Sequence, residues 1–275
     1  MVVMVNLSKL LDMESIGSRV CMIEVKNISK EYTKGKPVIE DVSFSVAVNQ
    51  VCCLLGKNGA GKSTIINVIS QAIRQSKGEV VINGKTVNRR TVMAKEGVGI
   101  VSQFDYLIDQ LTGYQYLKFQ CLLLKLDPAT TRQRIESLAE FFFDTPGEIF
   151  RPIASYSTGM RMKIRIISAL LHKPGILVLD EPFANLDPVN AERLTAFLSE
   201  FAAIDSHLVL ISSHDLLYVD KIATRICVLH EKRIVFEGTK SEFTKDGSMP
   251  LDQVFFQYVD AKPSSMQNIN WLLEK

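Results

Sequence analysis

Apolar and polar residues along the chain follow two periods, and their order sets out the elements. Over residues 22–50 apolar positions alternate with polar ones, at Ile23 and Val25 and again at Val42, Phe44 and Val46. A period of two predicts strands of a half-buried sheet. Residues 51–55, Val-Cys-Cys-Leu-Leu, are apolar without a break, as in a strand covered on both faces. A glycine-rich stretch follows at once, then a helix from about Lys62. Further strands are predicted at 79–82 and 98–101, with Asn83-Gly84 as a turn. The region from about 111 to 143 is helical in character, and Asp127-Pro128 divides it into at least two helices. Buried strands at 176–179 and 208–212 flank a helix over about 188–201. This alternation predicts an α/β core with a largely parallel sheet.

Composition narrows the picture. With 275 residues, 47% hydrophobic and 23% charged, the chain is of globular type and long enough for one large or two small domains. A net charge of +2 is too small to argue for nucleic acid or anionic lipid as a partner. The local basic cluster Arg161, Lys163 and Arg165 reads as a solvated helix face. No apolar run approaches the ~20 residues of a membrane span, so any membrane involved must be crossed by another subunit. Five cysteines, Cys21, Cys52, Cys53, Cys121 and Cys227, without Cys-x-x-Cys spacing support neither a disulfide framework nor a zinc site. They read as buried free thiols in a reducing cytoplasm, with Cys52 and Cys53 on opposite faces of their strand. Residues 1–21 read as an N-terminal extension or a misassigned start. Residues 241–275 read as a C-terminal tail, appended most plainly from about Pro250, with Phe255, Phe256, Tyr258 and Trp271. Packing on the core is the default expectation for that tail; dimerisation and a regulator are the alternatives.

Candidate chemistry begins at Gly56-Lys57-Asn58-Gly59-Ala60-Gly61-Lys62-Ser63, a phosphate-binding loop between strand and helix. Glycines let successive amides turn inward, and the helix N-terminus adds partial positive charge. Lys62 suits the β- and γ-phosphates of a nucleoside triphosphate, with Thr64 next along the loop. The Ser63 hydroxyl and Asp180, at the end of the strand 176–179, suit Mg²⁺. Glu181 stands one residue beyond, where a carboxylate can polarise an attacking water; its bland alternative is a capping or surface acid. Tyr156-Ser157-Thr158-Gly159-Met160 lies just before a helix-like segment.

The order of these motifs resembles the ATP-binding subunit of ABC (ATP-binding cassette) transporters over about residues 22–240. The resemblance implies a P-loop ATPase core with an antiparallel β subdomain and an inserted α-helical subdomain at about 104–160. It implies that Ser157-Thr158-Gly159 is the signature motif, touching the γ-phosphate bound to the opposite protomer. It further implies that Tyr32 stacks on adenine, that Gln103 joins the metal site to the helical subdomain, that Asn185-Leu186-Asp187 meets the partner, and that His214 senses the γ-phosphate. Alone, Tyr32 is equally a solvent-facing strand aromatic, and His172, His207 and His230 read as structural. The usual signature has Gly at Thr158 and Gln at Met160; threonine does not readily take the positive φ that glycine tolerates. The Tyr-Ser-Thr-Gly-Met variant is similar to exporter-like members.

The expected protein is therefore an ATP- and Mg²⁺-dependent ATPase, paired with a second cassette and powering a separate transmembrane permease. Its expected place is cytoplasmic, peripheral on the inner face of the plasma membrane, with export the favoured direction. Residues 104–111 are the candidate docking surface for a permease helix, against ordinary packing of the helical subdomain. A soluble ABC ATPase acting as an assembly factor, for instance in iron–sulfur cluster biogenesis, would share every motif. Nucleic-acid machines of this class are disfavoured by the single cassette, the near-neutral charge and a span from loop to signature too short for long coiled coils. A regulatory module with little hydrolysis is disfavoured by Glu181 and His214.

Overall fold

The computed structural model describes residues 22–88, 90–93, 97–104, 106–184 and 186–259. Its centre is a six-stranded sheet. The runs read as doubly buried strands form β3 (Val51–Leu55), β7 (Ile176–Asp180) and β8 (Leu208–Ser213), every residue of them buried. Strand β6 (Val98–Val101) lies at one edge, and β9 (Arg225–His230) and β10 (Arg233–Thr239) complete the other. The order is β10-β9-β3-β8-β7-β6, with β10 antiparallel to β9 and the remaining pairs parallel. The alternating segment at 22–50 gives β1 (Ile23–Thr33) and β2 (Lys36–Val46). With β4 (Lys77–Ile82) and β5 (Lys85–Thr86) they make a second, antiparallel sheet in the order β2-β1-β4-β5. Asn83 and Gly84 join β4 to β5 with φ of 52° and 75°, the positive pair of a type I′ hairpin turn.

The parallel sheet separates two apolar clusters. Cys52 and Leu54 face Ile23, Val25 and the helix α1 (Lys62–Ile69), whereas Cys53 and Leu55 face the helical side. The adjacent cysteines do point to opposite faces, and Cys52, Cys53, Cys121 and Cys227 are all free and buried. Burial drives the Cys53 thiol far above its ordinary range, which makes it inert.

The helical region divides at the predicted place. Helix α2 (Gly113–Leu123) is closed at its start by a reciprocal capping box between Thr112 and Gln115. Helix α3 (Pro128–Phe142) starts where Asp127 accepts from the Thr130 amide at 3.0 Å and Pro128 occupies the first turn. After two short 3₁₀ turns, Pro146–Phe150 and Ile153–Ser155, comes α4 (Thr158–Leu170). Helix α5 (Pro188–Ala203) joins β7 to β8, and the short α6 (Leu216–Ile222) follows β8. Beyond β10 stand α7 (Lys240–Phe243) and α8 (Leu251–Tyr258).

The start of the tail packs on the core. Leu251, Val254, Phe255 and Val259 are buried, and the Tyr258 ring stacks on Phe243 with centroids 5.6 Å apart. Phe256 faces outward. Trp271 lies outside the described residues.

Helix α4 approaches β6 closely because β6 carries a glycine. A Cβ built on Gly99 would stand 2.5 Å from the Ala169 carbonyl oxygen and 2.8 Å from Leu177 Cδ2. Backbone cannot yield as a side chain does, so Gly99→Ala should destabilise the fold by about 1–3 kcal/mol. A lowered melting temperature with an unchanged far-ultraviolet circular dichroism spectrum is the expected result.

Candidate nucleotide site

Three consecutive β–α junctions build one cluster at the C-terminal ends of β3, β7 and β8, where open parallel sheets place their ligand sites. The β3–α1 loop supplies Gly56, Lys57, Asn58, Gly59, Ala60, Gly61, Lys62, Ser63 and Thr64. Gly61 caps α1 with φ 112°, and a Cβ there would meet Ile39 Cγ2 at 2.6 Å; only glycine fits. No side chain caps α1, so its first amides remain available to an anion.

Lys62 is buried beneath this loop. Its ammonium donates to the carbonyls of Gly56 at 2.8 Å and Lys57 at 3.4 Å and pairs with Glu181 Oε1 at 3.2 Å. The other Glu181 oxygen accepts from His214, from Nδ1 at 2.8 Å and the backbone amide at 3.3 Å. Glu181 thus bridges the lysine and the histidine. Its backbone is left-handed, φ 49°, an uncommon state for a non-glycine residue. The Glu181 amide donates to the carbonyl and the hydroxyl of Ser212, each at 3.1 Å.

Ser212 is the residue that motif reading passed over, placed only as the last residue of the strand 208–212. Parallel pairing sets Asp180 directly opposite Ser212. The serine hydroxyl donates to Asp180 Oδ1 while accepting from Glu181, so one side chain orients both acids. The signal lay in the register of the two strands rather than in any motif.

A divalent cation fits the adjoining donors. Ser63 Oγ donates to Gln103 Oε1 at 3.1 Å, and Asp180 Oδ2 is buried with no hydrogen-bond partner. Hydroxyl, amide and carboxylate oxygens form a hard donor set of the kind Mg²⁺ takes. Burial raises the Asp180 carboxyl above its ordinary range; the Ser212 and Ser63 hydroxyls pull it partly back.

The remaining expected residues stand apart from this cluster to different degrees. Tyr32 is exposed, its hydroxyl 3.5 Å from Thr64 Oγ1 and its ring covered on one side by the Lys30 ammonium at 5.1 Å. Ser157 caps α4, accepting from the Met160 amide at 3.2 Å. Thr158 and Gly159 form the first turn of that helix and take no positive φ. The expected strain at Thr158 is therefore absent: a helical first turn accepts threonine. Asp187 caps α5, accepting from the Asn190 amide at 3.0 Å, and its carboxyl is lowered by Asn190. Asn185 lies outside the described residues. Among the described residues, no hydrogen bond or ion pair joins Ser157, Thr158, Gly159 or Asp187 to the Lys62–Glu181 cluster.

The basic cluster on α4 is not a solvated face. Lys163 is buried over the Phe143 ring at 5.4 Å, and desolvation lowers its ammonium below the ordinary range. Arg161 pairs with Asp109 at 2.7 Å, and Arg165 donates to the Ser102 carbonyl at 3.1 Å. Their partners lie far away in sequence, which composition could not reveal.

The unpartnered Asp180 oxygen costs the nucleotide-free fold stability. Because the folded carboxyl is raised, the penalty is absent below the ordinary carboxylate range, grows as pH rises toward the folded value and is constant above it. Asp180→Asn should therefore raise the melting temperature at neutral pH by about 2–4 °C, for a gain of about 1 kcal/mol. That difference should shrink as the pH is lowered. Thermal melts of both proteins across pH check this.

Comparison with known proteins agrees with this geometry. Residues 39–184 match the profile of the ABC transporter family. The chain is 30% identical over 221 residues to the linearmycin resistance ATP-binding protein LnrL of Bacillus subtilis, covering 80% of this chain and 70% of that one. It is 29% identical over 235 residues to the phosphonates import ATP-binding protein PhnC of Treponema denticola, covering 79% and 89%. A solved ATP-binding subunit of an ABC transporter superposes with a TM-score of 0.75 at 27% identity, covering 86% of this chain and 99% of its own. The chain belongs to the ABC transporter family as an ATP-binding, ATP-hydrolysing subunit.

Proposed function

We propose that this subunit drives export through a separate transmembrane permease, closing head to tail with a second cassette around two ATP molecules. One observation carries the dimer reading. Ser157 presents a hydroxyl and a helix N-terminus, a suitable anion site, yet among the described residues no hydrogen bond or ion pair ties it to the phosphate loop of its own chain. Its hydroxyl accepts from the Met160 amide. A second copy would complete it.

In this reading the amides of residues 58–63 and Lys62 hold the β- and γ-phosphates, and Tyr32 stacks on the adenine. Ser63, Gln103 and Asp180 would hold Mg²⁺, which when bound neutralises phosphate charge. Glu181 takes the proton of the attacking water, His214 orients Glu181, and the partner's signature serine stabilises charge developing on the γ-phosphate. Asp187, beyond its capping role, faces the partner.

Support for a permease partner comes from the segment after β6. Phe104 and Tyr106 are 59% and 68% exposed, with centroids 6.1 Å apart, and Ile108 is 38% exposed. Such a group of exposed apolar side chains suits a docked helix. No helix among the described residues is long and apolar enough to cross a membrane. Export rests on the Tyr-Ser-Thr-Gly-Met signature; the relatives include both a resistance protein and an import protein.

Glu181→Gln should lower kcat at least about 100-fold while retaining ATP binding and trapping the closed dimer, as read by steady-state hydrolysis and gel filtration with ATP. Turnover near the wild-type rate would remove Glu181 as the base. Ser157→Ala should lower kcat about 100-fold without a comparable loss of ATP binding by the single subunit; equal losses would place the serine in cis. The trapped Glu181→Gln subunit, used as bait on detergent-solubilised membranes, should retain a polytopic membrane protein in stoichiometric amount. Only soluble partners would replace the transporter reading with that of an assembly factor.

A further inference from the structure

We infer that Arg165, with Arg161 one turn before it, is a positioning residue that links the permease-facing segment and the Mg²⁺ site to the signature serine. The inference rests on the reading of Ser157 given above. Residues four apart share one face of a helix, and both arginines on that face of α4 reach the same segment. Arg165 Nη1 donates to the carbonyls of Ser102 at 3.1 Å and Gln103 at 3.5 Å. Arg161 Nη1 donates to Asp109 Oδ1 at 2.7 Å and to the Ile153 carbonyl at 3.2 Å. The segment is thus clasped at both ends, with Phe104, Tyr106 and Ile108 exposed between the two attachments.

The same segment and the same helix each end in the chemistry. Gln103, whose carbonyl Arg165 holds, accepts at its side chain from Ser63. Ser157 caps helix α4, and Arg165 stands eight positions further on, about 12 Å along the axis. A helix moves as one body over that distance. Its close seat against β6 is at Ala169, the end of the helix away from Ser157, and so serves as a pivot for the Ser157 end. Displacing the 102–109 segment therefore displaces Ser157, through the arginines, while leaving Lys62 and Glu181 on the sheet behind. These contacts take the arginines to the 102–109 segment and place them to act through the serine.

The test is a double-mutant cycle on the full-length chain, with single-turnover hydrolysis, equilibrium binding of a fluorescent ATP analogue and a thermal melt for each variant. Arg165→Ala should slow hydrolysis about tenfold, equivalent to about 1.4 kcal/mol in the barrier, with ATP affinity unchanged. In the Ser157→Ala background it should add no further loss. Arg165→Lys keeps one charged donor and should recover part of the rate; where Arg165→Ala melts early, the cycle is read on Arg165→Lys instead. A full tenfold further loss in the Ser157→Ala background, an equal fall in ATP affinity, or an unchanged rate in Arg165→Ala would each overturn the inference. A wild-type rate in Ser157→Ala alone would instead overturn the reading of the signature site, and that result does not involve Arg165.

Discussion

The register of β7 against β8 is the constraint on which the site depends. It sets Asp180 opposite Ser212, and the Ser212 hydroxyl then fixes the Asp180 carboxylate and the Glu181 amide together. Strand side chains alternate faces, so a slip of one residue would turn Ser212 away and leave both acids unanchored. Complete burial of both strands disfavours that slip, because it would exchange the apolar sets of the two clusters. Both acids inherit their positions from packing that has no chemistry of its own.

What the sequence disclosed and what it hid follow from the range of the interactions involved. The strands around β3, β7 and β8, the glycine loop, the Asn83-Gly84 turn and the break at Asp127 are local patterns, and they are where expected. β9, β10, α6 and α8 escaped because their apolar faces are completed by distant elements; Tyr258 makes sense only against Phe236 and Phe243. Within the site, the residues of the phosphate loop, Asp180, Glu181, Gln103 and His214 were legible as motifs. The left-handed backbone of Glu181, the double duty of Ser212 and the arginine clasp were not. Each depends on a partner at least thirty or so positions away. Arg161, Lys163 and Arg165 look like a solvated stripe because charge is visible in sequence and its counterpart is not; two of the three counterparts are a carbonyl and a ring.

The site also collects the features that a stable fold would avoid: a buried lysine, a carboxylate oxygen without a partner and a non-glycine residue with positive φ. Each is costly alone. They persist because the surrounding strands leave them no alternative. Lys62 is tied to two carbonyls of its own loop, and Glu181 is held at its backbone by Ser212 and at its side chain from two directions. Nearly everything that holds these groups is backbone or sheet, so they are already arranged before a nucleotide arrives, and little reorganisation is left for the reaction itself.

The one arrangement that must change is the contact between Lys62 and Glu181. With Lys62 on one oxygen and His214 on the other, the Glu181 carboxylate has both oxygens engaged. A triphosphate offers Lys62 more negative charge than one carboxylate does, so in the proposed reading binding would draw the ammonium away and leave Glu181 to His214 alone. Phosphate binding and activation of the proposed base would then be a single exchange of partners on Lys62. That exchange would lie wholly within one chain, whereas the proposed donor on Ser157 would come from another. A lone subunit would thus complete the first step and wait at the second, and control of hydrolysis would lie in the approach of α4 rather than in the loop that holds the nucleotide.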